Sequence, residues 1–257
     1  MNIFYLHNDP VTAAEYHVDK HVVKMVQEYA QLLSTAHRVL DGRLHGESLA
    51  PGVHRNLITL GVRVRPEFKA QILPGEAIVF DFSANEWVIA NKKAMMMTHV
   101  NHPSAIWVRQ SAANYSWLYS LFEALSHEKK FRYPKGPNRT YFEFREFLKN
   151  PPANIPVGRF TEPTPAMPPF YKIKKADGTY DSIASYRRFY IGDKYRFARW
   201  TSRSIPKWYL DGLVDAWSDD PDERLRVLLK PKVAKKTQIT PAHIQKVMTD
   251  VYNRVVV

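Results

Sequence analysis

The stretch DPVTAAEYHVDKHVVKMVQEYAQLLSTAHRVLDG, from Asp9 to Gly42, decides the fold class. Asp9 can cap a helix that begins at Pro10, because a capping carboxylate accepts a free backbone N–H and proline has none to lose there. Thr12 and Glu15 offer a second start with capping-box spacing. At about 100° per residue, Val18, Val22, Met25, Val26, Tyr29, Leu32, Leu33, Ala36 and Leu40 fall on one side. His17, Lys20, His21, Lys24, Gln27, Glu28, Gln31 and Thr35 fall on the other. The pattern predicts one long amphipathic helix that stops at Asp41-Gly42.

Helical signals recur along the chain. They predict a second helix over about 84–97 and a third from His102-Pro103 to about His127. A short one should cover Tyr141 to Leu148. A block rich in aromatic and basic residues begins at Tyr186 and should be helical to about Trp200. Shorter helices are expected at 207–216, 221–229 and 241–257. Residues 2–7 read as a short strand or an extended lead-in. Val62, Val64, Ile72, Ile78, Val79 and Phe80 suggest short strands interrupted by Pro66 and Pro74. The expected fold is mainly α, a compact helical domain with minor β content and a C-terminal helical extension. Residues 1–150 form the first part, the proline-rich 151–170 a linker or surface arm, and 171–257 a basic aromatic extension.

The 257 residues suffice to bury a core, and 45% hydrophobic with 24% charged residues is ordinary globular usage. The balance of charge is not ordinary. Lys and Arg number 37 against 25 Asp and Glu, a net charge of +12. Such a chain calls for a polyanionic partner, and aromatic residues interleaved with cations favour nucleic acid over a membrane surface. The chain has no cysteine, which excludes disulfides, zinc ribbons and thiol catalysis. MNIFYLHNDP lacks the basic start and cleavage site of a secretory signal. The expected setting is the cytoplasm, that of the host if a phage encodes the chain. No Walker or dinucleotide glycine pattern is present, and no cofactor or metal is expected.

His17, His21, Lys24 and Glu28 are spaced by four, three and four residues, so a continuous helix would line them up in one stripe. Three readings compete: a solvated face with a Lys24–Glu28 pair, a metal site on His17 and His21, and an acid/base site in which a carboxylate works beside Lys and His. The metal reading lacks an HExxH motif and a third ligand. The stripe alone does not choose between the other two.

The string DKHVVKMVQE, Asp19 to Glu28, followed by Gln31, Leu32 and Leu33, resembles a motif of the pyrimidine-dimer DNA glycosylases of the endonuclease V type. In that motif an acidic residue, a basic residue, a lysine and a glutamate open an amphipathic helix. NHPSAIWVRQSAANYSWL, Asn101 to Leu118, is similar to the family's second signature, a His-Pro followed by a Trp-bearing helix. The resemblance spans roughly residues 1–130. It implies a helical enzyme that flips a nucleotide out of double-stranded DNA, attacks the sugar C1′ with an amine and breaks the glycosidic bond. Glu28 would be the catalytic carboxylate, with Lys24 and His21 beside it. Lys20, His102 and Arg109 would hold DNA. The family's amine is the α-amine of a small residue exposed after Met removal. Asn2 is bulky for that removal, so the amine would belong to Met1, Lys24 would substitute, or no imine would form.

Pro103 in the first helical turn suggests an anion site on backbone N–H groups near His102. The simpler reading is a capped helix start. Trp107, Trp117 and Tyr115 follow helical spacing and read as core. In YRRFYIGDKYRFARWTSRSIPKWY, Tyr186 to Tyr209, the cations Arg187, Arg188, Lys194, Arg196, Arg199 and Arg203 form a candidate phosphate-binding surface. The expected function is thus a DNA glycosylase, with abasic-site lyase activity as an extension. A phage DNA-base-modifying transferase on the same scaffold and a non-catalytic DNA-binding protein are the alternatives.

Overall fold

A computed structural model describes residues 1–42, 72–81, 83, 86–136 and 138–218. The chain is mainly helical. In order it forms α1 (Pro10–Tyr16), α2 (Asp19–Leu40), β1 (Ala77–Asp81), β2 (Glu86–Ala90), α3 (Pro103–Val108), α4 (Ala112–Arg132), α5 (Arg139–Leu148), β3 (Ile173–Lys174), β4 (Tyr180–Asp181), α6 (Ser182–Phe189) and α7 (Lys207–Ser218). The predicted helices at 221–229 and 241–257, and the strand signals at Val62 and Val64, lie outside the described residues. Two compact units result. The first comprises Met1, Met25–Ser126 and Pro137–Thr161; the second comprises Asn2–Lys24, His127–Gly136 and Glu162–Val257.

The core of the first unit is the apolar side of α2 from Met25 to Ala36, together with Trp107 and Val108 of α3, Tyr115, Leu118 and Phe122 of α4, and Phe144 and Leu148 of α5, all buried. Polar groups of α2 are enclosed with them. Arg38 is fully buried and meets Glu76 in a two-pronged ion pair, Nη1 to Oε2 at 2.9 Å and Nη2 to Oε1 at 3.0 Å. Its Nε also donates to Met95 O at 2.6 Å and its Nη2 to Ala94 O at 2.7 Å. Glu76 also accepts the Leu73 and Lys93 amides. One guanidinium on α2 thereby fixes the chain on both sides of the β1–β2 hairpin. Asn154 Nδ2 donates to Leu40 O at 3.2 Å and so caps the end of α2, while Asp41 accepts the Ala153 and Asn154 amides.

Three sequence expectations need correction here. The single helix from Asp9 to Leu40 is broken at His17-Val18. The exposed last carbonyls of α1 find donors far along the chain: Arg132 Nη2 to Glu15 O, Trp200 Nε1 to Tyr16 O and Arg132 Nη1 to His17 O, at 2.8–3.0 Å. With those carbonyls satisfied, the break costs no unpaired backbone. Asp19 completes the junction by accepting Arg132 Nη1, Thr201 N and Thr201 Oγ1. The helix expected over 84–97 is instead strand β2, antiparallel to β1 with Ala77 opposite Ala90 and Asp81 opposite Glu86. Its run EWVIA is rich in aromatic and β-branched residues, which suit a strand better than a helix. The helix expected from His102 to His127 is two, because Ser111 Oγ accepts the Asn114 amide and starts a new helix.

The basic aromatic block also departs from expectation. Asp181 caps α6 through the Ala184 amide, but regular helix ends at Phe189. Tyr190–Lys194 is a π-turn and Tyr195–Phe197 a 3₁₀ turn. Gly212 of α7 lies so close to the π-turn that a Cβ there would collide with the Ile191 side chain. Both sit in the second unit.

Burial raises the Glu76 pKa, but hydrogen bonds from Arg38 and the Lys93 and Leu73 amides outweigh it and hold the group below the usual carboxylate range. The stability this confers is present above the pKa of a free glutamate and is lost as pH falls through the lower folded value. Wild-type stability to urea should therefore decline below about pH 4. Arg38→Met strands the buried carboxylate and should cost about 3–5 kcal/mol at neutral pH. Urea titrations of both proteins across this pH range check the two expectations.

Candidate functional site

The first unit builds its candidate site from α2 outward. Ser34 Oγ accepts the Met95 amide, and Thr35 Oγ1 both accepts the Thr98 amide and donates to Thr98 O. With Arg38 on Met95 O and Ala94 O, α2 holds residues 94–98 by their backbone. The held segment delivers His99, whose φ of 50° is unusual for a residue with a side chain. His99 O then accepts the His102 amide at 2.8 Å, closing a turn. Arg109 Nη1 donates to Val100 O at 2.7 Å and to Ala105 O at 3.3 Å, so this guanidinium braces the turn.

His102 is the cap of α3: its Nδ1 accepts the Ser104 amide at 3.2 Å. The neutral ring must therefore carry its proton on Nε2. Burial lowers the His102 pKa, the charges of the Met1 α-amine and His99 lower it further, and Glu28 works in the opposite direction. Ser104 Oγ donates to Met1 O at 3.5 Å. A half-buried carboxylate on α2, an amine and two imidazoles thus share one electrostatic neighbourhood. The expected anion site on the α3 backbone is not built: α3 has six residues and its cap is occupied by the His102 ring itself.

In the second unit, His17 and His21 are buried rather than solvated. His17 Nδ1–H donates to Ala13 O at 2.6 Å. Burial lowers its pKa to about 4. His21 stacks on Phe4 with ring centroids 4.1 Å apart, and its Nδ1 pairs with the Tyr190 hydroxyl at 2.6 Å. Burial, then His17, Lys194 and Lys24, lowers the His21 pKa to about 2, so the ring is neutral at any physiological pH. By its helical spacing Tyr190 reads from the sequence as a core aromatic, which it is, but nothing there marks it as a partner of His21. The π-turn that aims it at His21 carries no sequence signal, although such turns recur at functional sites.

The expected DNA-binding cations divide. Arg203 is committed to Glu128 and Glu15, and Lys194 to Asp193 at 2.7 Å. Arg187 Nε donates to Leu6 O. Lys20 lies over the Phe197 ring at 4.9 Å, Arg188 over Phe170 at 5.4 Å and Arg196 over Tyr195 at 5.7 Å. Lys20, Lys24, Arg196 and Arg199 are exposed. Trp107 is core, as its spacing predicts, with Nε1 donating to Thr161.

Charge is uneven. Among the described residues the second unit has sixteen Lys and Arg against ten Asp and Glu, whereas the first has eight of each. Among the described residues no group of three His, Asp or Glu is placed to hold a metal ion, and no helix is long and apolar enough to cross a membrane. Comparison with protein-family models, curated proteins and solved structures finds no match.

Two measurements bear on the His99–His102 turn. Nitrogen NMR should find the neutral His102 ring protonated on Nε2, with a midpoint below that of free histidine. Arg109→Met keeps the stem but deletes the brace, and should speed amide exchange over residues 99–102 by about tenfold or more.

Proposed function

We propose that the chain is a DNA glycosylase that acts on damaged or modified pyrimidines, with Glu28 as its catalytic carboxylate. The observation that carries this reading is the shared neighbourhood of Glu28, the Met1 α-amine, His99 and His102 in the first unit. Glycosidic cleavage needs two groups that such a neighbourhood supplies. An amine bonds to C1′ as the base departs with the glycosidic electron pair, and a carboxylate stabilises the cationic sugar and moves protons. The base leaves after taking up a proton. As the amine gives up its protons and the C=N bond of the imine forms, the C1′–O4′ bond breaks and its electron pair leaves on O4′, which takes up a proton; Glu28, whose charge reaches His102, is assigned the carrying of these protons. A neutral His102 with hydrogen on Nε2 is suited to donate to a sugar or phosphate oxygen without adding charge. The resemblance of DKHVVKMVQE to the glycosylase motif supports the same assignment. The basic excess of the second unit fits a double-stranded DNA partner.

The burial of His21 shifts its part in this reading. Held neutral against Tyr190 and Phe4, it acts as a structural neighbour of Lys20 and Lys24 rather than as a proton carrier.

Glu28→Gln should reduce cleavage of duplex carrying damaged pyrimidines by at least about a hundredfold while DNA binding stays within about threefold. Equal cleavage by wild type and variant would overturn the assignment. Borohydride should trap a covalent DNA adduct whose peptide map contains Met1, and acetylating the α-amine should abolish it. An adduct that persists on the acetylated protein would move the amine to a lysine.

A further inference from the structure

Arg187 differs in its partners from Arg38, Arg132 and Arg203. Arg38, Arg132 and Arg203 each meet a carboxylate within 3.1 Å. Arg187, half-buried on α6, forms no ion pair among the described residues, and Asp181 acts on it only from further off. Its Nε donates to Leu6 O at 3.1 Å, and its two terminal nitrogens make no hydrogen bond among the described residues. The guanidinium lies 5.1 Å from the centre of the Trp208 ring and 5.8 Å from that of Tyr16. The two rings are 6.0 Å apart and inclined at 63°, forming a corner around the cation. At the rim of the covered ring, Trp208 Nε1–H is buried and has no acceptor among the described residues. All of these groups belong to the second unit.

Each of these facts is costly alone. A half-buried cation with no carboxylate in contact loses hydration for little return: burial lowers the Arg187 pKa, and the more distant Tyr16 and Asp181 offset this only in part. A buried N–H without an acceptor costs about 1–3 kcal/mol. Both deficits have one remedy, an anion with oxygens to spare.

We propose that Arg187 and the Trp208 indole form a binding site for a single phosphate group. The guanidinium fork matches two oxygens side by side. A carboxylate would spend both of its oxygens on that fork. A phosphate retains further oxygens for the indole N–H, so the third donor selects the tetrahedral anion. The aromatic corner holds the fork flat by cation–π contact and reduces the ordering cost of binding. The phosphate has two sources, a free phosphate or nucleotide, and the backbone of a nucleic-acid strand. This site does not depend on the glycosylase reading.

Thermal unfolding with and without inorganic phosphate, at matched ionic strength, tests the first source. Anisotropy of a labelled single-stranded oligonucleotide tests the second. The variants are Arg187→Gln, which removes the fork, and Trp208→Phe, which keeps a ring but deletes the N–H. If free phosphate is the ligand, it raises the wild-type Tm, does so less for Trp208→Phe and not at all for Arg187→Gln. If a strand is the ligand, oligonucleotide affinity falls by about tenfold in Trp208→Phe, the worth of one charge-assisted hydrogen bond, and further in Arg187→Gln. Either pattern supports the site and identifies its source. Responses to both probes that are absent in wild type, or equal in wild type and variants, overturn it. Should Arg187→Gln fail to fold, Trp208→Phe decides alone. Glu28→Gln should leave both responses unchanged, so loss of cleavage and loss of phosphate binding remain separate results.

Discussion

The first unit depends on one buried charge. Arg38 is fully buried on α2, where no water can solvate it, and it donates to both Glu76 carboxylate oxygens and to the Met95 and Ala94 carbonyls. Such a pair is weak evidence for stability in itself, since removing two ions from water offsets much of their attraction. Its effect is specificity. Only one path of the chain can offer the Glu76 carboxylate and the carbonyls of Ala94 and Met95 to the same guanidinium. That path sets where residues 94–98 run along α2. The position of His99 and His102 follows from it, and so does whatever Glu28 and the Met1 amine can do together.

The second unit solves a comparable problem by different means. Its arginines act on backbone carbonyls as much as on carboxylates. Arg132 takes two carbonyls at the end of α1 while also engaging Glu128 and Asp19. Glu128 in turn receives Arg203, and the two guanidiniums together hold its pKa down against the burial that would raise it. Part of the basic excess seen in the composition is thus internal scaffolding. Other cations of this unit, Lys20, Lys24, Arg196 and Arg199 among them, face solvent, where a polyanion would meet them.

Much of this was legible in the sequence and some of it was not, for identifiable reasons. The apolar side of α2 reads directly from its period, and Val18 through Ala36 are buried as that period requires. Trp107, Tyr115 and Leu118 are core for the same reason. The polar side misleads because period reports residue type and not partner. His17, His21 and Thr35 share the polar stripe, yet each is enclosed by a partner elsewhere: Ala13 O, the Tyr190 hydroxyl and Thr98. Only the first of these is local. Glu28 was reachable from helix position and motif resemblance. The Met1 amine was named only through that resemblance, and the companion His99 was not reachable, because its approach depends on backbone bonds from Ser34, Thr35 and Arg38 that leave no pattern. The break at His17-Val18 was invisible because its capping donors lie 115 to 184 residues further along.

That break has a consequence for how the chain is made. The carbonyl of Tyr16 waits for an indole 184 residues downstream. At about 5–20 residues per second of synthesis, the wait is on the order of ten seconds or longer. Until Trp200 emerges, the junction of α1 and α2 has only water to complete it, and local helix formation cannot fix the turn. Contacts this distant in sequence slow folding because loop closure precedes their reward. The junction of α1 and α2, made long before Trp200, is therefore among the last parts of the second unit to reach its native place.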